Sequence, residues 1–350
     1  MKNKLNELKI GSKFDPFIIA ELSANHNGSL KKFLKMITVA KKIGVSAVKI
    51  QTYTAEDMTV NSKKGSFFIS EKNNLWKGQK LYDLYKKGST PLEWHKKLFD
   101  HAKKERILLF STPFSVKAVD FLEKFKPKLY KISSFENNDF ELLARVAKTK
   151  KPIIVSSGVS TLTQLSDSIK FLKKKGAKNI IVLKCTSSYP ANISELNLNS
   201  IPYLKKKFKT EIGFSDHTIG NLAALTSISL GSNVIEKHFN IDDKGLDAKF
   251  SSDIENMKSL IIQSKKIKKI LGKKVLEITK SEKFSIKYKR SLILVKNIKK
   301  NEKFTRDHIK SLRGGYGIEP KYLNKIIGKN SKSNYTAPRS LKYNMIINEA

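Results

Sequence analysis

Short apolar runs that end in polar residues alternate with stretches of helical periodicity over the first 275 residues. Strand side chains alternate between two faces, whereas a half-buried helix repeats its apolar positions every three or four residues. On that basis FIIAEL (17–22), VSAVKIQ (45–51), ILLFST (107–112), KLYKISS (128–134), PIIVSSG (152–158), NIIVLKCTSSYP (179–190), TEIGFSDH (210–217) and NVIEKHF (233–239) read as eight strands. LKKFLKMITVAKKIG (30–44) puts Leu30, Phe33, Leu34, Ile37, Val39, Ala40 and Ile43 near one helical face, with Ser29 as its N-cap. Further helices are expected over 91–105, 115–125, 140–150, 161–176, 196–207, 223–231 and 253–271.

Strand-helix alternation at this length is the pattern of a (β/α)₈ TIM barrel, with a doubly wound open sheet as the alternative. The strand ends favour the barrel. Each carries polar residues: Glu21; Lys49 with Gln51; Thr112; Lys131 with Ser134; Ser156; Ser187 with Tyr189; Ser215 with His217; Glu236 with His238. A closed barrel brings all eight C-terminal ends to one mouth, where such folds do their chemistry. Residues 52–90 break the alternation, and a connection of that length is expected to cover a site. After residue 271 the chain turns polar and lysine-rich, then offers short strands (Leu292–Val295), a turn (Lys300–Asn301) and one-turn helices (Pro320–Ile326). The expected division is a barrel over 1–275, a linker over 276–288 and a small domain over 289–350.

Composition changes this picture in two ways. Lysine and arginine outnumber aspartate and glutamate by 69 to 31, a net charge of +38. Nucleic-acid binding is one reading of that excess. However, the lysine pairs are spread along the chain, with no basic arm and no nucleic-acid motif, so solvated helix faces that attract anionic substrates are the preferred reading. No run of 18 apolar residues is present, the first residues lack an apolar signal region, and Cys185 is the single cysteine, so no membrane association and a reduced, cytoplasmic setting are expected.

The residues at the mouth suggest the chemistry. Two histidines at successive strand ends, His217 and His238, are candidate ligands for a divalent metal. Lys49 and Lys131 sit within apolar runs, where an idle lysine is costly. With the hydroxyls of Thr112, Ser134, Ser156, Ser187 and Ser215 they suit a phosphate or carboxylate. Glu21 and Glu236 are acid/base or charge-balancing candidates. No nucleotide-binding glycine motif is present. Cys185 reads as a small buried apolar residue. These features point to a metal-assisted barrel enzyme acting on a small phosphorylated or carboxylated substrate. An aldolase using Lys131 or Lys184 as a Schiff base is the rival.

IIAELSANHNGSL, AVKIQTYTAEDMT, FSTPFS, YKISSFE, KCTSSYP, GFSDHTIG, VIEKHF and SLRGGYGI, in collinear order over nearly the whole chain, resemble the sialic acid synthase family. The resemblance implies a (β/α)₈ barrel with a C-terminal antifreeze-like (SAF) domain that reaches across a homodimer into the partner's barrel. It implies condensation of phosphoenolpyruvate with an acetamido sugar aldehyde to a nine-carbon α-keto acid and phosphate. ELSANHNG, QTYTAEDMT, LYDLYKKGSTPLEWH and GLDAKFS are most similar to the pseudaminic acid synthase branch, whose sugar is 2,4-diacetamido-2,4,6-trideoxy-altrose. N-acetylneuraminate and legionaminate synthesis are the alternatives within the family.

Carried over motif by motif, the resemblance gives His217 and His238 a divalent ion: manganese, with magnesium or cobalt as substitutes. It gives Lys49, Thr112, Lys131, Ser134, Ser156, Ser187 and Ser215 the phosphoenolpyruvate. Glu21 handles a water or proton, and Gln51, Tyr189 and Asp247 face the sugar. Arg313 comes from the small domain of the partner subunit. This chain departs from relatives in carrying Ser187 where the neuraminate branch often has asparagine, and Leu246 where many have proline.

Overall fold

The computed structural model describes residues 4–71 and 75–347. The first three residues of the expected barrel, three of the 52–90 connection and the last three of the small domain lie outside the described residues. The chain divides into two compact units, Met1–Gly272 and Lys273–Ala350.

The first unit is a closed parallel barrel. Its strands are β1 (Phe17–Glu21), β2 (Ala47–Thr52), β3 (Leu108–Pro113), β4 (Tyr130–Ile132), β5 (Ile153–Ser156), β6 (Ile180–Cys185), β7 (Glu211–Asp216) and β8 (Val234–His238). Each pairs with the next, and β8 closes on β1 in a register that runs from Phe17 against Val234 to Glu21 against His238. The helices are α1 (Leu30–Ile43), α2 (His95–Lys104), α3 (Val116–Glu123), α4 (Phe140–Lys148), α5 (Leu162–Lys174), α6 (Ser200–Phe208), α7 (Leu222–Ser229) and α8 (Ile254–Leu271). The expected strands and helices are present, with ends trimmed by a few residues. The polar tails assigned to β4 and β6 are loop, because the chain leaves the ladder once its side chains turn into the mouth. The open-sheet alternative is excluded by closure.

The period-2 pattern explains both layers of the core. Ile18, Ala20, Val48, Ile50, Leu109, Phe214 and Ile235 face outward and pack on Phe33, Met36, Ile37 and Ala40 of α1, on α7, and on Met257 and Leu260 of α8. The alternate residues Phe17, Ile19, Ala47, Phe110, Ile154, Ile181, Leu183 and Val234 fill the barrel interior, closed from below by Leu5 and Ile10. One register step further up each strand, the inward positions become polar, which builds the mouth on an apolar floor. Gly213 belongs to this interior: a Cβ there would lie 2.3 Å from the Val234 carbonyl oxygen. Ser29 caps α1 by accepting from the Lys32 N–H at 3.2 Å.

The second unit is a small three-stranded antiparallel sheet, β9 (Arg290–Leu294) between β10 (Ile309–Arg313) and β11 (Arg339–Ser340). Leu292, Leu294, Phe304, Ile309, Ile318, Ile326 and Leu341 form its core. The stretch expected as a linker lies in this unit and carries a 3-10 helix, Glu282–Tyr288. Among the described residues no helix is long and apolar enough to cross a membrane.

Candidate active site

A cavity of about 470 Å³ opens at the C-terminal ends of the strands. Lys49, Gln51, Lys131, Ser134, Ser156, Ser187, Tyr189, Ser215, His217, Glu236, His238 and Asp247 line it. Glu21 and Thr112 lie just behind. Thr112 Oγ1 accepts from Lys49 Nζ at 3.1 Å, and Glu21 pairs with the same ammonium. Arg313 ends β10 in the second unit and is exposed.

Four buried charges organise the floor. Lys49 pairs with Glu21 and lies 3.8 Å from Glu236, which is also 3.7 Å from Lys131. Ser215 donates to Glu236 at 3.1 Å, and Gln51 donates to Glu21 at 3.3 Å. Burial penalises every one of these charges, and their neighbours decide which keep them. Burial works against ionised Glu236, but Lys131, Lys49 and both histidines outweigh it and hold the carboxyl well below its usual range. Burial wins at Glu21 and raises its carboxyl despite Lys49. Burial lowers Lys131, whereas at Lys49 the carboxylates outweigh burial and raise it. Glu236 supplies a fixed anion to Lys49 even when Glu21 takes a proton. The two carboxyls are thereby pushed apart, the arrangement that separates a proton-handling acid from a permanent charge.

Beside the lysines lies a hydroxyl cradle. The Gly158 N–H donates to Ser134 Oγ at 3.2 Å. A Cβ at Gly158 would lie 2.2 Å from Ser187 Oγ and 2.6 Å from Ser134 Oγ. The Ser156 hydroxyl is buried with no hydrogen-bond partner, so it is free to donate to a bound anion.

The two imidazoles stand with ring centroids 5.4 Å apart. His217 Nδ1 lies 3.0 Å from the Thr186 carbonyl, which fixes a proton there, and the Asp247 carboxylate lies 3.3 Å from His238 Nδ1. Both Nδ1 atoms therefore face second-layer acceptors, which suits Nε2 ligation. Two imidazoles at about 2.1 Å from one ion have centroids about 5 Å apart, so the pair fits as two ligands. No group of three or more His, Cys, Asp or Glu side chains forms a fuller metal cluster among the described residues. Asp247, expected to face the sugar, lines the cavity but also serves His238.

Glu136 escapes the sequence reading, Cys185 reads only as a small buried apolar residue, and the 52–90 connection is expected to cover the site without its lining residues being named. Glu136 lines the cavity, and burial raises its carboxyl. It stands two residues beyond Ser134, and an acidic residue so close to a polar strand end was the available signal. Cys185 is buried as expected but is not inert packing. Burial pushes its thiol up, yet contact with His217 and hydrogen bonds from Ser134 and Ser187 bring it down to about 6. Its inward position follows from alternation with Ile181 and Leu183. The 52–90 connection supplies a wall of Tyr53, Met58, Phe68, Ile69, Trp76 and Tyr85. Trp76 meets Tyr189 and Phe250 at ring-centroid distances of 6.4 and 6.5 Å.

Comparison with known proteins places this architecture. The NeuB family model matches residues 36–276, and the SAF domain model matches residues 289–347. The chain belongs to the NeuB family. A pseudaminic acid synthase of Campylobacter jejuni is 43% identical over 328 residues, covering 93% of this chain and 95% of its own length. An N,N'-diacetyllegionaminic acid synthase of the same organism is 36% identical over 324 residues, covering 91% of this chain and 96% of its own. The crystal structure of an N-acetylneuraminic acid (sialic acid) synthetase from Leptospira borgpetersenii superposes with a TM-score of 0.71 at 31% identity, covering 79% of this chain and 92% of that one.

Proposed function

We propose that this chain catalyses the pseudaminic acid synthase reaction. Phosphoenolpyruvate, 2,4-diacetamido-2,4,6-trideoxy-altrose and water give a nine-carbon α-keto acid and phosphate. The observation that carries this reading is one cavity combining a two-lysine, hydroxyl-lined anion cradle with an apolar aromatic wall, in a chain 43% identical to a pseudaminic acid synthase. The cradle suits the phosphate and carboxylate of phosphoenolpyruvate. The wall suits a sugar with three methyl groups, one at C6 and two on acetamido substituents. Gln51, Tyr189 and Asp247 lie between the two and supply polar contacts to the sugar.

The electron pair of the enol double bond forms the new bond from phosphoenolpyruvate C3 to the aldehyde carbon. Water then adds its oxygen to C2, and the tetrahedral intermediate expels phosphate by breaking the C2–O bond. One water proton goes to the aldehyde oxygen and the other leaves with phosphate. Glu21 is the group for this relay, because a raised carboxyl takes a proton from water more readily than an ordinary one. Glu236 stays ionised and balances Lys49 and Lys131 throughout. A divalent cation held by His217 and His238, manganese with magnesium or cobalt as substitutes, supplies Lewis acidity to the aldehyde.

Arg313 from the small domain of the partner subunit completes the sugar end in a homodimer. Phe135, Val159, Ile193 and Ile219 support this: they are exposed apolar residues on successive βα connections around the mouth. A cytoplasmic location suits an enzyme that consumes phosphoenolpyruvate. The test is phosphate release with phosphoenolpyruvate, Mn²⁺ and a panel of acetamido sugars. The trideoxy-altrose substrate is expected to exceed its legionaminate-route isomer and N-acetylmannosamine by about tenfold or more in kcat/KM, the discrimination expected from pocket contacts. Turnover confined to N-acetylmannosamine contradicts the assignment.

A further inference from the structure

The two histidines at the mouth are joined from behind by a buried ion pair that the chemistry above does not use. Asp216 precedes His217, and Lys237 precedes His238. Alternation turns both away from the cavity, onto the side of β7 and β8 where Phe214 and Ile235 pack against the helices. They are register partners across the ladder. Both are essentially inaccessible to water, at 0% and 1% exposure. Lys237 Nζ donates to Asp216 Oδ2 at 2.8 Å and to the Thr218 carbonyl at 2.6 Å. The other carboxylate oxygen of Asp216 accepts from the Thr218 N–H at 2.9 Å and from its hydroxyl at 2.7 Å.

One β8 ammonium therefore grips the β7 chain both before and after His217. His217 lies where the strand ends, one residue past the last β7–β8 register pair; its carbonyl accepts from the Ala191 N–H at 3.0 Å, and Lys237 is what ties this segment to β8. A buried ion pair is a weak source of stability, since an apolar pair of similar volume often does as well. Its directional bonds, however, set one backbone segment against another.

We propose that Asp216 and Lys237 are positioning residues that fix His217 relative to His238. This rests on the reading of the two histidines as working residues of the site. The clip holds the strand ends at the separation and tilt that the imidazole pair needs. It acts through the backbone and touches no substrate.

The test compares Lys237→Met with the double variant Asp216→Asn/Lys237→Met. The single variant leaves a buried carboxylate without its partner and is destabilised for that reason alone. The double variant is charge-neutral and keeps the asparagine oxygen as acceptor for Thr218, so it deletes only the cross-strand clip. It is expected to retain a cooperative unfolding transition and wild-type affinity for phosphoenolpyruvate. Its kcat is expected to fall, and its Mn²⁺ Kd by electron paramagnetic resonance to rise, by about tenfold or more, the usual cost of losing a residue that orients a metal ligand. A folded double variant with kcat and Mn²⁺ affinity both unchanged overturns the proposal. So does an equal loss of phosphoenolpyruvate and Mn²⁺ affinity, which marks a merely structural role. Wild-type protein that binds no Mn²⁺ overturns the metal reading, and kcat at intact phosphoenolpyruvate affinity then decides for or against the clip.

Discussion

Lys131→Met removes one of the two buried cations while keeping most of the side-chain volume. The residue is 2% exposed, and its ammonium lies 3.7 Å from Glu236. A phosphate bound beside it meets the charge at about 4 Å, where two unit charges interact by about 4 kcal/mol at an effective dielectric constant near 20. Glu236 already takes part of that field, so about half is left for the ligand. About 2 kcal/mol corresponds to about a 30-fold loss of kcat/KM for phosphoenolpyruvate. The assay is initial-rate phosphate release at varied phosphoenolpyruvate and saturating sugar, with circular dichroism to confirm folding. The loss belongs in the phosphoenolpyruvate KM more than in the sugar KM, because the sugar lies toward the aromatic wall. A folded variant within about threefold of wild type would refute the anion-cradle assignment. The same residue tests the aldolase rival: borohydride with pyruvate is expected to leave wild-type Lys131 unmodified, and a trapped adduct there would favour a Schiff base.

Three further outcomes follow from the geometry. Gly158→Ala places a methyl 2.2 Å from Ser187 Oγ and is expected to raise the phosphoenolpyruvate KM by about tenfold or more by displacing a cradle donor; an unchanged KM would remove that loop from the site. His95 lies between the Thr52 hydroxyl at 2.8 Å and the Pro91 carbonyl at 3.2 Å, and burial lowers its pKa from 6.5 to about 4. The unfolded chain therefore binds the extra proton, so stability is full above pH 6.5 and falls between pH 6.5 and 4 by up to about 3 kcal/mol. Urea titrations at pH 7.5 and 5 should show that slope, and His95→Gln should flatten it; an identical slope in the variant contradicts the linkage. Trp76→Ala removes part of the wall and is expected to raise the sugar KM by about tenfold, from about 1.4 kcal/mol of lost apolar contact, with the phosphoenolpyruvate KM unchanged; the reverse split would move the sugar elsewhere.

The barrel was legible because each strand follows one repeating rule. Apolar residues fill both faces at the strand base, and polar residues occupy the inward face near the end, with the outward Asp216–Lys237 pair of β7 and β8 departing from the rule. Lys49 and Lys131 showed this most clearly, since an ammonium inside an apolar run needs a buried partner, and Glu21 and Glu236 provide it. What stayed hidden depends on register or on loop paths. Asp216 and Lys237 lie 21 residues apart, and only the β7–β8 pairing sets them opposite one another. The wall from 52–90 has no period to read. Its one-turn and two-turn helices, Ala55–Met58 and Leu81–Gly88, are too short to leave a repeat. Cys185 is the small buried residue expected, but its contact with His217 was hidden because His217 comes from the next strand.

The most direct test of the central claim is turnover in ¹⁸O-enriched water with phosphoenolpyruvate and the trideoxy-altrose substrate. Water addition at C2 followed by C–O cleavage predicts label at the C2 oxygen of the nine-carbon acid when it is trapped before exchange, with none in the released phosphate. Label in the phosphate and none at C2 would mean P–O cleavage, and would contradict the reaction assigned to this cavity.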